Sequence, residues 1–251
     1  MLSTRIWGTQ SRGMGDPVVL IHGFTQSGPT WEPVAVRLAR VHTVITVDAP
    51  GHGGSAAVDA DLGAGAELIG AAGGRAAYVG YSMGGRFALH LALARPDLVS
   101  RLVLISTNAG IDDPDVRADR RRADDLLADR IGRDGVEAFV RWWLSRPLFA
   151  TLPAEAAAVD SRLGNTATGL ASSLRRAGTG TQEPLWDRLG ELSMPVLVVA
   201  GELDDAYLAG AHRLVEGIGA NATLLAVPGA GHTVHLEAPE VFATAVEAFL
   251  A

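Results

Sequence analysis

Four short apolar runs rich in β-branched residues constrain this 251-residue chain more than any other feature. They are PVVLIHGF (Pro17 to Phe24), HTVITVDAPG, RAAYVGYS and RLVLISTNAG, and each ends in a loop of small or polar residues. Runs this short, without polar alternation, read as strands covered on both faces. Helical patterns separate them at Trp31 to Ala39, at Asp61 to Ala72 with glycine interruptions, and at Met83 to Ala94. Strand and helix in alternation imply right-handed βαβ units and a mainly parallel, doubly wound sheet. After Gly110 the texture changes: Asp112 to about Glu183 holds several helical patterns and no convincing strand. Strands return at PVLVVAG (Pro195 to Gly201) and ATLLAVPG (Ala222 to Gly229), with helices at about Leu208 to Gly217 and Pro239 to Leu250. The expectation is one α/β core made of residues 1–111 and 184–251, with a helical cap, 112–183, inserted after the fourth clear strand. Leu2 to Trp7 is a candidate edge strand.

Composition narrows the classes of function. With 48% hydrophobic residues the chain can bury one large core. A formal charge of −7 argues against non-specific binding to nucleic acid or an anionic membrane. An anionic substrate would therefore need local arginines working against the overall field. The absence of cysteine removes disulfides, thiolate metal sites and a cysteine nucleophile. No run approaches the roughly 18 apolar residues of a membrane span, and the start, MLSTRIWGTQ, has no signal-peptide character, so a cytoplasmic protein is expected.

The chemistry concentrates at VGYSMGGR. Gly80-Tyr81-Ser82-Met83-Gly84 fits G-x-S-x-G, with a strand before it and a helix after it. Glycines flank the serine because such a turn leaves no room for Cβ atoms, and the strained corner lifts the hydroxyl into the open. Ser82 would stand at a helix N-terminus, where the Met83 amide can donate to a developing oxyanion; the Phe24 amide, after the first clear strand, would be the second donor. A serine needs a histidine to take its proton and an acid to orient that histidine. In the order Ser, acid, His, the loop after PVLVVAG offers Asp204, with Asp205 as rival, and the loop after ATLLAVPG offers His232, with His235 as rival. Asp204 is preferred for standing three residues after Gly201, and His232 because Gly-x-Gly-His frees the backbone to aim its ring. His22 and His52, in glycine-rich loops, read as backbone ties. His42, His90 and His212 read as surface or partly buried residues. No H-x-x-x-H spacing points to a metal. Arg86, one turn after Ser82, shares its helix face and can hold a carboxylate beside it.

The segments LIHGFTQSGPTW, VDAPGHGGS, VGYSMGG, AGELD and AGH together resemble the α/β-hydrolase superfamily over nearly the whole chain. GYSMGGR, ADRRRADDLLA, FVRWWLSRPLFATL, VDSRLGNTATGLASSLRRAGTGTQEPLW and AGHTVHLEAPEVF resemble, more narrowly, the 2-succinyl-6-hydroxy-2,4-cyclohexadiene-1-carboxylate synthases of menaquinone biosynthesis, over roughly Pro17 to Phe249. That resemblance implies an α/β-hydrolase fold and a lyase that expels pyruvate from a small tricarboxylate substrate without cofactor or metal. It implies carboxylate binding by arginines at Arg86, Arg120 and Arg162, a pocket aromatic at Trp142, a hydroxyl from Tyr81 and a role for Gln182. Which of Arg120, Arg121 and Arg122 faces inward stays open by one position, because ADRRRADD also fits a solvated face of weak ion pairs. Trp142 and Trp143 fit core packing with one ring walling the pocket. The chain departs from the family's pattern at Ala206 and Tyr207, where a basic residue and an aromatic are usual, and in the short glycine-broken helix before RAAYVG.

Two other readings compete. A serine esterase or carbon–carbon bond hydrolase would use the same three residues with water and have no need of three arginines. A binding module on the same shell would have no need of an aligned Ser82, Asp204 and His232. The expected protein is a monomer or small homo-oligomer with no nucleic-acid or membrane partner.

Overall fold

A computed structural model describes residues 1–8 and 15–251. Seven strands, β1 (Thr4–Trp7), β2 (Gly15–Ile21), β3 (His42–Val47), β4 (Ala76–Tyr81), β5 (Val99–Ile105), β6 (Val196–Gly201) and β7 (Ala222–Val227), form one sheet. Their spatial order is β1-β3-β2-β4-β5-β6-β7. Only β1 is antiparallel, pairing Thr4 with Val47 and Trp7 with Val44, so the N-terminal segment does add an edge strand, of four residues. The fold is the α/β-hydrolase fold that the sequence implies.

The sheet's two faces are written into β2. Val19 and Ile21 enter one apolar cluster with Ala66 and Ile69 of α2 (Leu62–Gly73), Phe87 and Leu91 of α3 (Met83–Ala94), and Leu214 and Ile218 of α7 (Asp205–Ile218). Val18 and Leu20 enter the other, with Trp31, Val34 and Leu38 at α1 (Glu32–Leu38) and Phe242 and Val246 of α9 (Pro239–Leu250). All four β2 side chains have no exposed surface, as a central strand with helices on both faces requires. α7 begins three residues earlier than its apolar periodicity suggests, because the Asp204 carboxylate accepts from the Tyr207 amide and caps it.

Between β5 and β6 the chain is helical. α4 (Pro114–Leu144) starts at the Asp113 cap and breaks at Gly135, whose φ of 78° is closed to most side chains; α5 (Val159–Leu163) and α6 (Ala167–Ala177) follow. α6 buries Leu170, Ala171 and Leu174 against Ala128, Ile131 and Phe139 of α4, a small apolar core separate from those of the sheet.

Parallel pairing aligns the strand ends. Ile21 pairs with Gly80, Tyr81 with Ile105, and Gly201 with Val227, so the loops after β2, β4, β5, β6 and β7 leave from one edge of the sheet. From β2 the chain passes to β3 on one side and returns to β4 on the other, which opens a crevice between the loops beginning at His22 and at Ser82.

Candidate active site

Ser82 occupies a corner no ordinary turn provides. Its φ of 51° and ψ of −109° fall outside the helical and extended regions. The corner is held by its amide donating to the Ile105 carbonyl at 2.8 Å and its carbonyl accepting from Thr107 Oγ1 at 2.8 Å. The flanking glycines are obligatory by contact. A Cβ on Gly84 would lie 2.2 Å from the Ile21 carbonyl oxygen, and one on Gly80 would lie 2.4 Å from that of Gly84. Both neighbours are backbone and cannot step aside. Met83, the next residue, opens α3, so its amide is one of the helix's unpaired first-turn donors.

His232 is buried beside the serine. Its Nδ1 lies 2.7 Å from Asp204 Oδ2 and its Nε2 lies 3.3 Å from Ser82 Oγ. A carboxylate only accepts, so Nδ1 carries the proton and donates it, leaving Nε2 as acceptor for the serine hydroxyl. Glu237, on the short helix α8 (Val234–Glu237), holds the loop: its carboxylate oxygens accept from the amides of Gly231 and Thr233, each at 2.7 Å, one on either side of His232. The rivals lie elsewhere. Asp205 is exposed. His235 is buried between Trp31 and Tyr81, ring centroids 4.4 and 4.5 Å away, and burial lowers its pKa to about 3.

The loop after β2 is clamped from both sides. Thr25, next to Phe24, has a φ of 66°. Its amide donates to His52 Nε2 at 3.3 Å, its carbonyl accepts from Asn165 Nδ2 at 2.7 Å, and its hydroxyl accepts from Arg162 Nη1. His52 Nδ1 therefore donates to the Pro50 carbonyl at 3.0 Å, and burial, with neighbouring His22, pushes its pKa down to about 3. His22 makes the same use of its ring, accepting from the Ala49 amide at 3.0 Å and donating to the Gly23 carbonyl at 2.8 Å. Both histidines are neutral ties between the loops after β2 and β3.

Over these residues lies a cavity of about 480 Å³, lined by Phe24, Tyr81, Ser82, Met83, Arg86, Arg120, Trp143, Arg146, Arg162, Tyr207 and His232 among others. Arg86 is buried and donates from Nη1 to the Ala177 carbonyl at 2.8 Å. Arg162, 1% exposed, donates from Nε to the Ala157 carbonyl at 2.8 Å, while its Nη2 has no partner. Burial lowers both guanidinium pKa values to about 10, so both remain charged at neutral pH. Neither has a carboxylate beside it among the described residues; Arg120 has one, with Nε 2.9 Å from buried Asp124. Asp124 also accepts from the Gly180 amide at 3.0 Å. Cations buried without counter-ions are costly, and an anionic ligand would relieve that cost. No cluster of three His, Asp or Glu side chains able to hold a metal occurs among the described residues.

The structure thus gathers Ser82, Asp204, His232, Phe24, Met83, Tyr81, Arg86, Arg120 and Arg162 around one space. Asp204 meets it through His232. Of the three adjacent arginines, Arg120 lines the cavity while Arg121 and Arg122 are exposed. Trp142 is corrected. It does not line the cavity but lies under Arg130, 3.7 Å from the ring centroid, and Trp143 is the lining ring. One residue along a helix is a rotation of about 100°, enough to exchange the two. Gln182 is buried but not part of the lining. Tyr207, a departure from the family's pattern, does line it, with its ring 4.4 Å from that of His232. Nothing in the sequence singles out Arg146, Thr25 or Asn165, whereas Glu237, five residues after His232, is close enough in sequence to be suspected.

The chain belongs to the alpha/beta hydrolase family, whose sequence profile it matches over residues 18–245, and it is an enzyme of that superfamily. It is 37% identical over 252 aligned positions to the putative 2-succinyl-6-hydroxy-2,4-cyclohexadiene-1-carboxylate synthase of Bacillus subtilis, covering 94% of this chain and 90% of that protein. Among solved structures, MenH from S. aureus superposes with a TM-score of 0.91 at 31% identity, covering 98% of this chain and 97% of the other. A thermophilic esterase from Thermogutta terrifontis superposes with a TM-score of 0.84 at 26% identity, covering 99% and 92%.

Proposed function

We propose that this enzyme acts in menaquinone biosynthesis, eliminating pyruvate from 2-succinyl-5-enolpyruvyl-6-hydroxy-3-cyclohexene-1-carboxylate to give 2-succinyl-6-hydroxy-2,4-cyclohexadiene-1-carboxylate. The observation that carries this reading is the pair of buried guanidinium groups, Arg86 and Arg162, facing the cavity of Ser82 without a carboxylate of their own. A substrate with three carboxylates supplies the missing charge, and the relatives' names agree with it. Residues 112–183 act as the cap that brings Arg120 and Arg162 over the core.

In this reading Ser82, Asp204 and His232 are the catalytic residues. Ser82 Oγ gives its proton to His232 Nε2 while taking one from the substrate ring, and Asp204 stabilises the imidazolium that forms. The electron pair left at ring carbon C2 forms the C2–C3 double bond, the C3–C4 double bond shifts to C4–C5, and the C5–O ether bond breaks, so that the enolpyruvyl oxygen leaves with both electrons. His232 returns its proton as the leaving group becomes pyruvate. The amides of Phe24 and Met83 stabilise negative charge developing above Ser82, and Arg86, Arg120 and Arg162 hold the carboxylates, with Tyr81 donating its hydroxyl.

A serine hydrolase is the second reading, favoured by the same Ser82–His232–Asp204 geometry and by the likeness to an esterase. A coupled assay decides, with the enolpyruvyl substrate generated in place and diene absorbance and pyruvate followed together. Wild type is expected to raise both signals above the spontaneous rate, and Ser82→Ala and Arg86→Ala to return them to it. An enzyme that leaves the background unchanged, or that traps an acyl group on Ser82 from this substrate, is not this lyase.

A further inference from the structure

One cation in the cavity is left without a role. Arg146 sits just past the C-terminus of α4, exposed to solvent yet part of the same lining as Ser82 and Arg86, which places it at the mouth. Its guanidinium carbon lies 5.0 and 6.0 Å from the ring centroids of Trp142 and Trp143. Three arginines of α4 have acids within a turn: Arg120 with Asp124, Arg130 with Asp134 and Arg141 with Glu137, each at 2.9 Å. Arg146 has no such partner among the described residues. The Trp142 ring already carries Arg130 at 3.7 Å, so two like charges share one aromatic surface, and Arg146 is poised there rather than tied.

We propose that Arg146 is a further carboxylate-binding residue, at the cavity mouth, added to Arg86, Arg120 and Arg162. This rests on the tricarboxylate reading above. Asp124, fixed in place by burial and by the Gly180 amide, stands beside Arg120 in the free protein, whereas Arg146 has no carboxylate beside it among the described residues. The guanidinium fork exchanges its weak contact with the tryptophan faces for two parallel charge-assisted bonds to the arriving carboxylate, a stronger interaction. At the mouth of a protein carrying −7 overall, it is also the cation an incoming trianion meets first. Arg146 therefore acts on capture more than on the chemical step.

The test separates this site from the lyase reading. Binding of propane-1,2,3-tricarboxylate, read by calorimetry, is compared in wild type, Arg146→Gln and Arg146→Lys at two salt concentrations. Arg146→Gln is expected to weaken binding by about tenfold or more and to flatten its salt dependence, with Arg146→Lys recovering part of the loss. In the coupled assay, Arg146→Gln should raise KM by a similar factor with kcat nearly unchanged. Unaltered binding by Arg146→Gln, or no binding of the tricarboxylate by wild type, overturns the proposal. Arg146-dependent binding in an enzyme that releases no pyruvate leaves the site standing and removes the lyase.

Discussion

The cavity has two unlike sides. On the side of Ser82, His232 and Asp204, the polar atoms answer one another within the chain. Asp204 accepts from both His232 and the Tyr207 amide, and Glu237 grips the backbone on either side of the histidine. On the side of Arg86, Arg162 and Arg146, the guanidinium groups meet carbonyls, a hydroxyl or aromatic faces, and Arg162 Nη2 meets nothing. The first side is complete in the free protein. The second is complete only around an anion, so the fold carries the cost of buried charge in advance and recovers it on binding.

The largest effect should come from the complete side. Asp204→Asn keeps the ring in place but favours the wrong tautomer, and kcat for pyruvate release should fall by roughly a thousandfold to ten-thousandfold. Propane-1,2,3-tricarboxylate binding, measured in parallel, should not change, and a joint loss would mean the two sides are not separable. Next in size, saturation of wild type with that tricarboxylate at about 100 times its Kd should add about 2.7 kcal/mol, raising Tm by about 5–10 °C. The neutral trimethyl ester should produce no shift, and an equal shift with the ester would erase the charge argument. The smallest effect sharpens the contrast. Arg86→Met loses one bond to the Ala177 carbonyl but removes a buried unpaired cation, and the ligand-free variant should be more stable in urea by about 1 kcal/mol. A clear loss of stability would make Arg86 a strut of the fold.

Legibility in the sequence divides along physical lines. The strands β2 to β6 are readable because their middles are buried on both faces and leave apolar runs, β7 because its run stays apolar although it is a sheet edge with only Val227 buried, and Ser82 because its corner demands the glycines that flank it. The order of Asp204 and His232 follows from which strand each loop succeeds, and the structure brings both into contact with one another and with Ser82. What escapes is what depends on distant partners. Thr25 is held by Arg162 and Asn165, 137 and 140 residues away, and nothing local to Thr25 announces either. Trp142 and Trp143 differ by a helical rotation that their long, weakly patterned helix does not fix. Arg146 reads as surface charge until the cavity it borders is known.

The glycine at 84 has a meaning for descent. With the Ile21 carbonyl where a Cβ would need to be, that position is closed to the other nineteen residues, and the corner it serves cannot drift by small steps. A lineage that changes its substrate on this scaffold must leave the corner alone and revise the helices between β5 and β6, where Arg120, Trp143, Arg146 and Arg162 reach the cavity from positions that backbone contact does not forbid to change. Inheritance is locked at one end of the site and negotiable at the other.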